Sequence, residues 1–141
     1  MTNQIFPCLW FNDQAQEATT FYCSIFKDSK IIEDNHMVIT FELNGKKMMG
    51  LNGGPEFKFN EAISLVVECD TQEEIDHYWN KLIADGGSEG NCGWLKDKFG
   101  VSWQIVPSVL SKLLSNPDKA QSVMQSYMKM KKFNIEKLMN A

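Results

Sequence analysis

The sequence lacks any apolar run near the ~20 residues that a membrane-spanning helix needs, and its opening Met-Thr-Asn-Gln-Ile has no basic segment followed by an apolar one. No membrane anchor or secretory leader is visible, and the cytoplasm is the expected compartment. The four cysteines, Cys8, Cys23, Cys69 and Cys92, form no C-x-x-C pair and have no histidine nearby. Neither a zinc knuckle nor a redox dithiol is indicated, and the thiols read as buried or idle. Positive charge is also scarce and scattered: 14 Lys+Arg against 18 Asp+Glu leave a formal net charge of −4. Nucleic acid would call for a clustered cationic stripe, and the one basic run, residues 129–132, reads as a solvated helix face.

What is present is ordinary for a globular domain: 43% hydrophobic and 23% charged residues, with nine Gly and four Pro. The 141 residues suffice to bury a real core and are read as a single domain, 1–141. Residues 5–11 are apolar throughout and bounded by Asn12-Asp13, the pattern of a strand buried on both faces. Asp13 stands where a helix N-cap belongs, and Ala15, Ala18, Phe21, Tyr22, Ile25 and Phe26 recur at helical spacing. Three strands are predicted at 30–34, 37–43 and 47–51, the last two joined by the hairpin signal Asn44-Gly45.

The second half repeats this order. A strand over 62–69 precedes a helix over 71–84, which opens on the capping box Thr71-Gln-Glu-Glu74 and stops at Gly86-Gly87. A hairpin, CGWLKDKFGVSWQIVP, occupies 92–107, with Gly100 as its positive-φ residue. Placing the halves 57 positions apart superposes Asp13 on Asp70, Glu17 on Glu74 and Phe21-Tyr22 on Tyr78-Trp79, so a first module over 3–55 and a second over 60–107 are expected. A helical tail, 108–141, follows: a short stripe of Val109, Leu110, Leu113 and Leu114, then a longer helix capped by Asn116-Pro117. Its apolar positions Val123, Met124, Tyr127, Met128 and Met130 suit packing on the domain or on a partner subunit.

These stretches, above all IFPCLWFND at 5–13, Glu17-Ala18, Phe21-Tyr22, Ile63-Ser64-Leu65 and the hairpin at 92–107, resemble the vicinal oxygen chelate superfamily of glyoxalase, bleomycin-resistance and extradiol dioxygenase proteins. Within it they are similar to the PhnB-like group, often labelled demethylubiquinone methyltransferase-like. The resemblance implies an α+β fold in which paired βαβββ modules build a curved, cup-like sheet, normally in a homodimer. It also implies where metal-dependent members take their ligands, one or two from each module. The matching positions here are Pro7, Gly50 or Asn52, Ala62 or Ser64, and Gln104. One neutral amide among such residues does not hold a divalent ion, and His36 and His77 lie away from the cup, so neither metal nor cofactor is expected.

Period-2 alternation assigns to the cup Pro7, Leu9, Gly50, Asn52, Ser64, Val66, Ser102, Gln104 and Val106, a mostly apolar pocket with a few amides and hydroxyls. Gln104, Asn52 and Ser64 are expected to orient a small apolar or aromatic ligand, with Ser102, Leu9, Trp94 and Phe99 also in contact. Two other classes stay open. A glyoxalase- or dioxygenase-type enzyme needs a register slip that recruits Cys8 or Glu68, and an interaction protein uses its tail and dimer surface. Methyl transfer through S-adenosylmethionine is not supported, because the glycines at 50–54 are not followed by helical periodicity. Acyl transfer fails as well, since Ser64 and Ser102 sit in strands without a plausible histidine.

Overall fold

The computed structural model describes residues 3–141, which divide into two compact units, 3–59 and Asn60–Ala141. The first runs β1 (Cys8–Phe11), α1 (Ala15–Ile25), β2 (Lys30–Asp34), β3 (Val38–Leu43) and β4 (Lys46–Asn52). Its sheet has the order β1-β4-β3-β2, with β1 parallel to β4 and the other neighbours antiparallel. The second unit runs β5 (Leu65–Cys69), α2 (Gln72–Ile83), β6 (Ser88–Glu89), β7 (Trp94–Lys96) and β8 (Ser102–Pro107), in the equivalent order β5-β8-β7-β6. Both units are thus βαβββ modules, the α+β fold that the resemblance implied. A tail of α3 (Val109–Ser115), α4 (Ala120–Tyr127) and α5 (Ile135–Met139) belongs to the second unit.

Each helix covers one face of its own sheet with a stripe of large side chains. Ala18, Tyr22 and Ile25 in α1 are buried, as are Ile75, Trp79 and Leu82 at the corresponding places in α2, 57 residues on. Under α1 lie Leu9, Phe11, Ile39, Phe41 and Leu43; under α2 lie Cys69, Leu95, Trp103 and Ile105. The capping box forms as expected: Thr71 Oγ1 accepts from the Glu74 N–H at 3.2 Å, and Glu74 Oε1 accepts from the Thr71 N–H at 3.2 Å. The Asn44-Gly45 hairpin also forms, both residues taking positive φ (51° and 76°) as a two-residue turn between twisted strands requires.

Several local expectations need correction. The first strand is not buried on both faces: it starts at Cys8, alternates between exposed and buried, and is preceded by a fully exposed Ile5. Asp13 is not the N-cap of α1; that place belongs to Gln14, and Asp13 takes φ 59° in the connection before it. Asn116-Pro117 does not open a long helix. Asn116 caps the C-terminus of α3, and α4 begins at Ala120, ends after eight residues, and is followed by an irregular stretch before α5.

The tail is packed into its own unit. Val123, Phe133 and Leu138 are buried, while Met124 and Met128 remain exposed. Main-chain bonds fix it: the N–H groups of Cys92 and Gly93 donate to the carbonyls of Met130 and Lys131, each at 2.8 Å. The Gln72 side chain clasps both flanks of the final turn, donating to Phe133 O at 3.0 Å and accepting from Ile135 N at 2.9 Å. Gly93, at φ 83°, is what lets Phe133 approach, because a Cβ there would overlap the phenyl ring.

Candidate functional site

Since each sheet has one face under a helix, any site must use the opposite face, and the register decides which residues show there. In the second unit, Trp103 pairs with Leu65 and Leu95, and Ile105 with Val67, on the helix side. The alternate residues therefore point away from α2: Trp94 opposite Gln104, Lys96 opposite Ser102, Gln104 opposite Val66, and Ser88 opposite Lys96. Gln104 Nε2 donates to Ser64 Oγ at 2.9 Å. Trp94, Ser102 and Gln104 thus share the open face, with Ser64 bonded to Gln104 beside them.

In the first unit the expected face is out of step. Leu9 and Gly50 point toward α1: Leu9 is buried, and a Cβ on Gly50 would stand 3.2 Å from Thr19 Cγ2 and 3.5 Å from Ala15 Cβ. Asn52 belongs to the same side, its Oδ1 accepting the Ala15 N–H at 2.8 Å and so closing the start of α1. Its Nδ2 donates to Gln16 Oε1 at 2.9 Å and to His36 O at 2.7 Å. Leu9 and Asn52 are therefore removed from the cup set. Leu9 is core, and the Asn52 amide is engaged by helix and sheet. Residues of the other parity, including Cys8, Trp10, Met49 and Leu51, occupy the open face of this unit.

The glycines at 53 and 54 have a structural reason. A Cβ on Gly53 would overlap the Trp10 indole, and Trp10 Nε1 donates to Gly54 O at 2.9 Å. No helix follows them before β5, so they do not form a strand-loop-helix cradle for a nucleotide.

The hairpin tip Lys-Asp-Lys has a buried centre. Asp97 is 3% exposed. Its Oδ1 accepts from the N–H groups of Phe99 (2.8 Å) and Val101 (3.0 Å), and its Oδ2 from Trp103 Nε1 (2.9 Å). The carboxylate ties the turn to the strand that follows and fixes β8 against β7. Phe99, expected to touch ligand, sits half-buried in this turn.

Beside that hairpin lies a cleft of about 260 Å³ lined by Glu61, Ser88, Glu89, Gly90, Trp94, Leu95, Lys96 and Ser102. It is more charged than the apolar pocket expected from alternation. Lys96 forms an ion pair with Glu61, and the lysine holds the Glu61 carboxyl below its usual range, first by hydrogen bonding and then by charge. Glu89 turns elsewhere, its Oε2 accepting from Trp79 Nε1 at 2.8 Å. Ser102 is 1% exposed, and its Oγ makes no hydrogen bond within the described protein. A buried hydroxyl without a partner costs roughly 1–3 kcal/mol. Of the residues lining this cleft, Trp94 and Ser102 were among the expected ligand contacts; Lys96, legible as the i+2 neighbour of Trp94, and Glu61, Ser88 and Glu89, which no periodicity marks, were not.

The positions at which the superfamily places metal ligands do not fit a cation here. Pro7 and Ala62 have no donor side chain, Gly50 faces a helix, and Gln104 is bonded to Ser64. Among the described residues no group of three or more His, Cys, Asp or Glu is arranged to hold a metal ion. Burial raises the thiols of Cys8 and Cys23, and burial, then the charges of Glu74 and Asp70, push Cys69 up to about 12.

A family model described as 3-demethylubiquinone-9 3-methyltransferase matches residues 3–106. The chain belongs to this PhnB-like family. Among solved structures, a PhnB protein from Bacillus cereus is 35% identical with a TM-score of 0.69, covering 75% of this chain and 100% of its own. At 15% identity, the fosfomycin resistance protein FosX from Listeria monocytogenes, solved with Mn(II) and sulfate, aligns with a TM-score of 0.62 over 82% of this chain and 97% of that one. A glyoxalase/bleomycin resistance protein from Albidiferax ferrireducens shares 14% identity and a TM-score of 0.56 over 74% and 97% of the two chains. These two likenesses bear on the fold alone, which is that of the vicinal oxygen chelate superfamily. No curated protein matches the chain. The PhnB-like match ends before α3, so the tail lies outside it. Among the described residues no helix is long and apolar enough to cross a membrane.

Proposed function

We propose that this PhnB-like chain is a small-molecule binding protein whose ligand seats on the open face of the second unit. The observation that carries this reading is the buried Ser102 hydroxyl, which has no protein partner at the wall of a cleft of about 260 Å³. Buried polar groups are nearly always paired, so an orphan bordering a cavity points to a ligand group as its partner. Trp94 supplies an aromatic wall on the same face, and Gln104 and Ser64 extend the polar edge beyond it. The volume lies just below the usual range for drug-sized ligands, which favours a compact molecule carrying one ring or a short chain. Methyl transfer finds no support in the 53–54 loop, which accommodates Trp10.

The test is a screen of ring-containing fragments by amide chemical shifts, repeated on Ser102→Ala. Removing the orphan hydroxyl should raise stability by up to about 1 kcal/mol while weakening the fragments that seat in the cleft by about fivefold or more. Unchanged affinity in the variant, or no fragment shifting residues 94–104, overturns the reading. The partner carried by the resemblance is a second copy of the chain, and we place it in the same proposal. Sedimentation equilibrium that finds a monomer at micromolar concentration would remove it.

A further inference from the structure

The cleft contains an exposed ion pair whose two halves are held very differently. Lys96 belongs to β7, paired on one side with β6 and on the other with β8, so its backbone is fixed from both directions. Glu61 lies in the irregular segment before β5, with its side chain 60% exposed. A solvated pair of this kind contributes little to folding and exchanges readily with other ions. The more weakly held half is the acid. If the pair opens, the charge that stays on the cleft wall is the lysine's, beside Trp94 and the unpartnered Ser102 hydroxyl on neighbouring positions of the sheet.

We infer that the ligand is a compact organic acid with an apolar or aromatic body, whose carboxylate displaces Glu61 from Lys96 while Ser102 donates to it and Trp94 packs against its body. Glu61 acts as a built-in competitor that keeps Lys96 neutralised while the cleft holds no ligand. A cationic ligand fits less well: to reach Glu61 it must stand beside an ammonium anchored in the sheet, and the remaining carboxylate, Glu89, is bonded to Trp79. This inference rests on the proposed binding site and specifies its chemistry.

The experiment uses the full chain and matched probes of rising size: benzoate with benzamide, phenylacetate with phenylacetamide, indole-3-acetate with indole-3-acetamide, and phenethylamine as the cationic arm. Dissociation constants are read from amide shifts of residues 88–104. Acids should bind about fivefold or more tightly than their amides, because a charge-assisted hydrogen bond is roughly twice as strong as a neutral one. Glu61→Gln should tighten the acids severalfold and leave the amides unchanged, and Lys96→Met should abolish the difference between them. Thermal melting of both variants confirms that the fold persists. Equal binding of acid and amide, or a preference for phenethylamine, overturns the acid assignment and leaves the site standing. Shifts from no probe at all overturn the site and the inference together.

Discussion

The two modules share a topology but commit their polar side chains differently. In the second, the start of α2 is capped from within the helix by Thr71 and Glu74. In the first, Gln14 makes no side-chain cap, and Asn52 reaches across from β4 to do that work. The second module can therefore leave Ser102 and Gln104 of its last strand on the open face, while the first holds its amide against the helix. Their hairpins diverge as well. β3 and β4 pair over six residues around a two-residue turn, whereas β7 is three residues long and its turn is organised by the buried Asp97. A shorter ladder and a two-residue β6 leave room for a cleft where the first sheet continues its pairing. The same scaffold thus takes two forms by relocating a helix cap and shortening one hairpin.

The largest test of this contrast is Asp97→Ala. It strips the acceptor from two backbone N–H groups and one indole N–H, two of these bonds being fully buried, and should cost about 3 kcal/mol in urea unfolding. A loss below about 1 kcal/mol would mean that the short hairpin stands without its carboxylate, and that its shape reflects the strands alone.

A smaller effect separates Asn52 from Gln104. Asn52→Ala should lose about 1–2 kcal/mol through the uncapped helix and the unpaired groups of Gln16 and His36. Gln104→Leu should lose less than about 1 kcal/mol, because the bond of its amide to Ser64 is only part-buried. Equal losses would erase the division between a structural and an open-face amide on which the comparison depends.

Much of the fold was legible in the sequence. Helical spacing set the buried stripe of the first helix, the capping box and the Asn44-Gly45 turn fell at the expected positions, and the hairpin residues carried the family resemblance. The face of the first sheet was not legible, for a definite reason. The helices are offset by 57 residues, but the strand ends Phe11 and Cys69 that precede them are 58 apart. The extra residue lies in the connection where Asp13 adopts a positive φ, and a shift of one reverses every side chain of a strand. Placing the first strand through Phe21-Tyr22, across this connection, put Leu9 on the wrong side; Asn52 lies on β4, after the helix, and no periodicity marks its bond to the Ala15 N–H. In the cleft, Ser102 stood in the alternation set, and Trp94 was expected only as a ligand contact. Glu61 comes from a segment without a period, and Ser88 and Glu89 from a strand too short to show one.

The meeting of Gly93 with Phe133 bears on the order in which the chain can mature during synthesis. The strands of the first module all pair with one another, so its sheet can form while the rest is still being made. The second cannot finish on the same schedule. The N–H groups at the start of its hairpin wait for carbonyls some 38 residues downstream, at Met130 and Lys131, and the floor that Gly93 leaves open stays unfilled until Phe133 arrives. The half that carries the candidate site thus becomes complete last, and a ribosome stalled before residue 130 would hold a chain with one mature module and one whose hairpin lacks its final support.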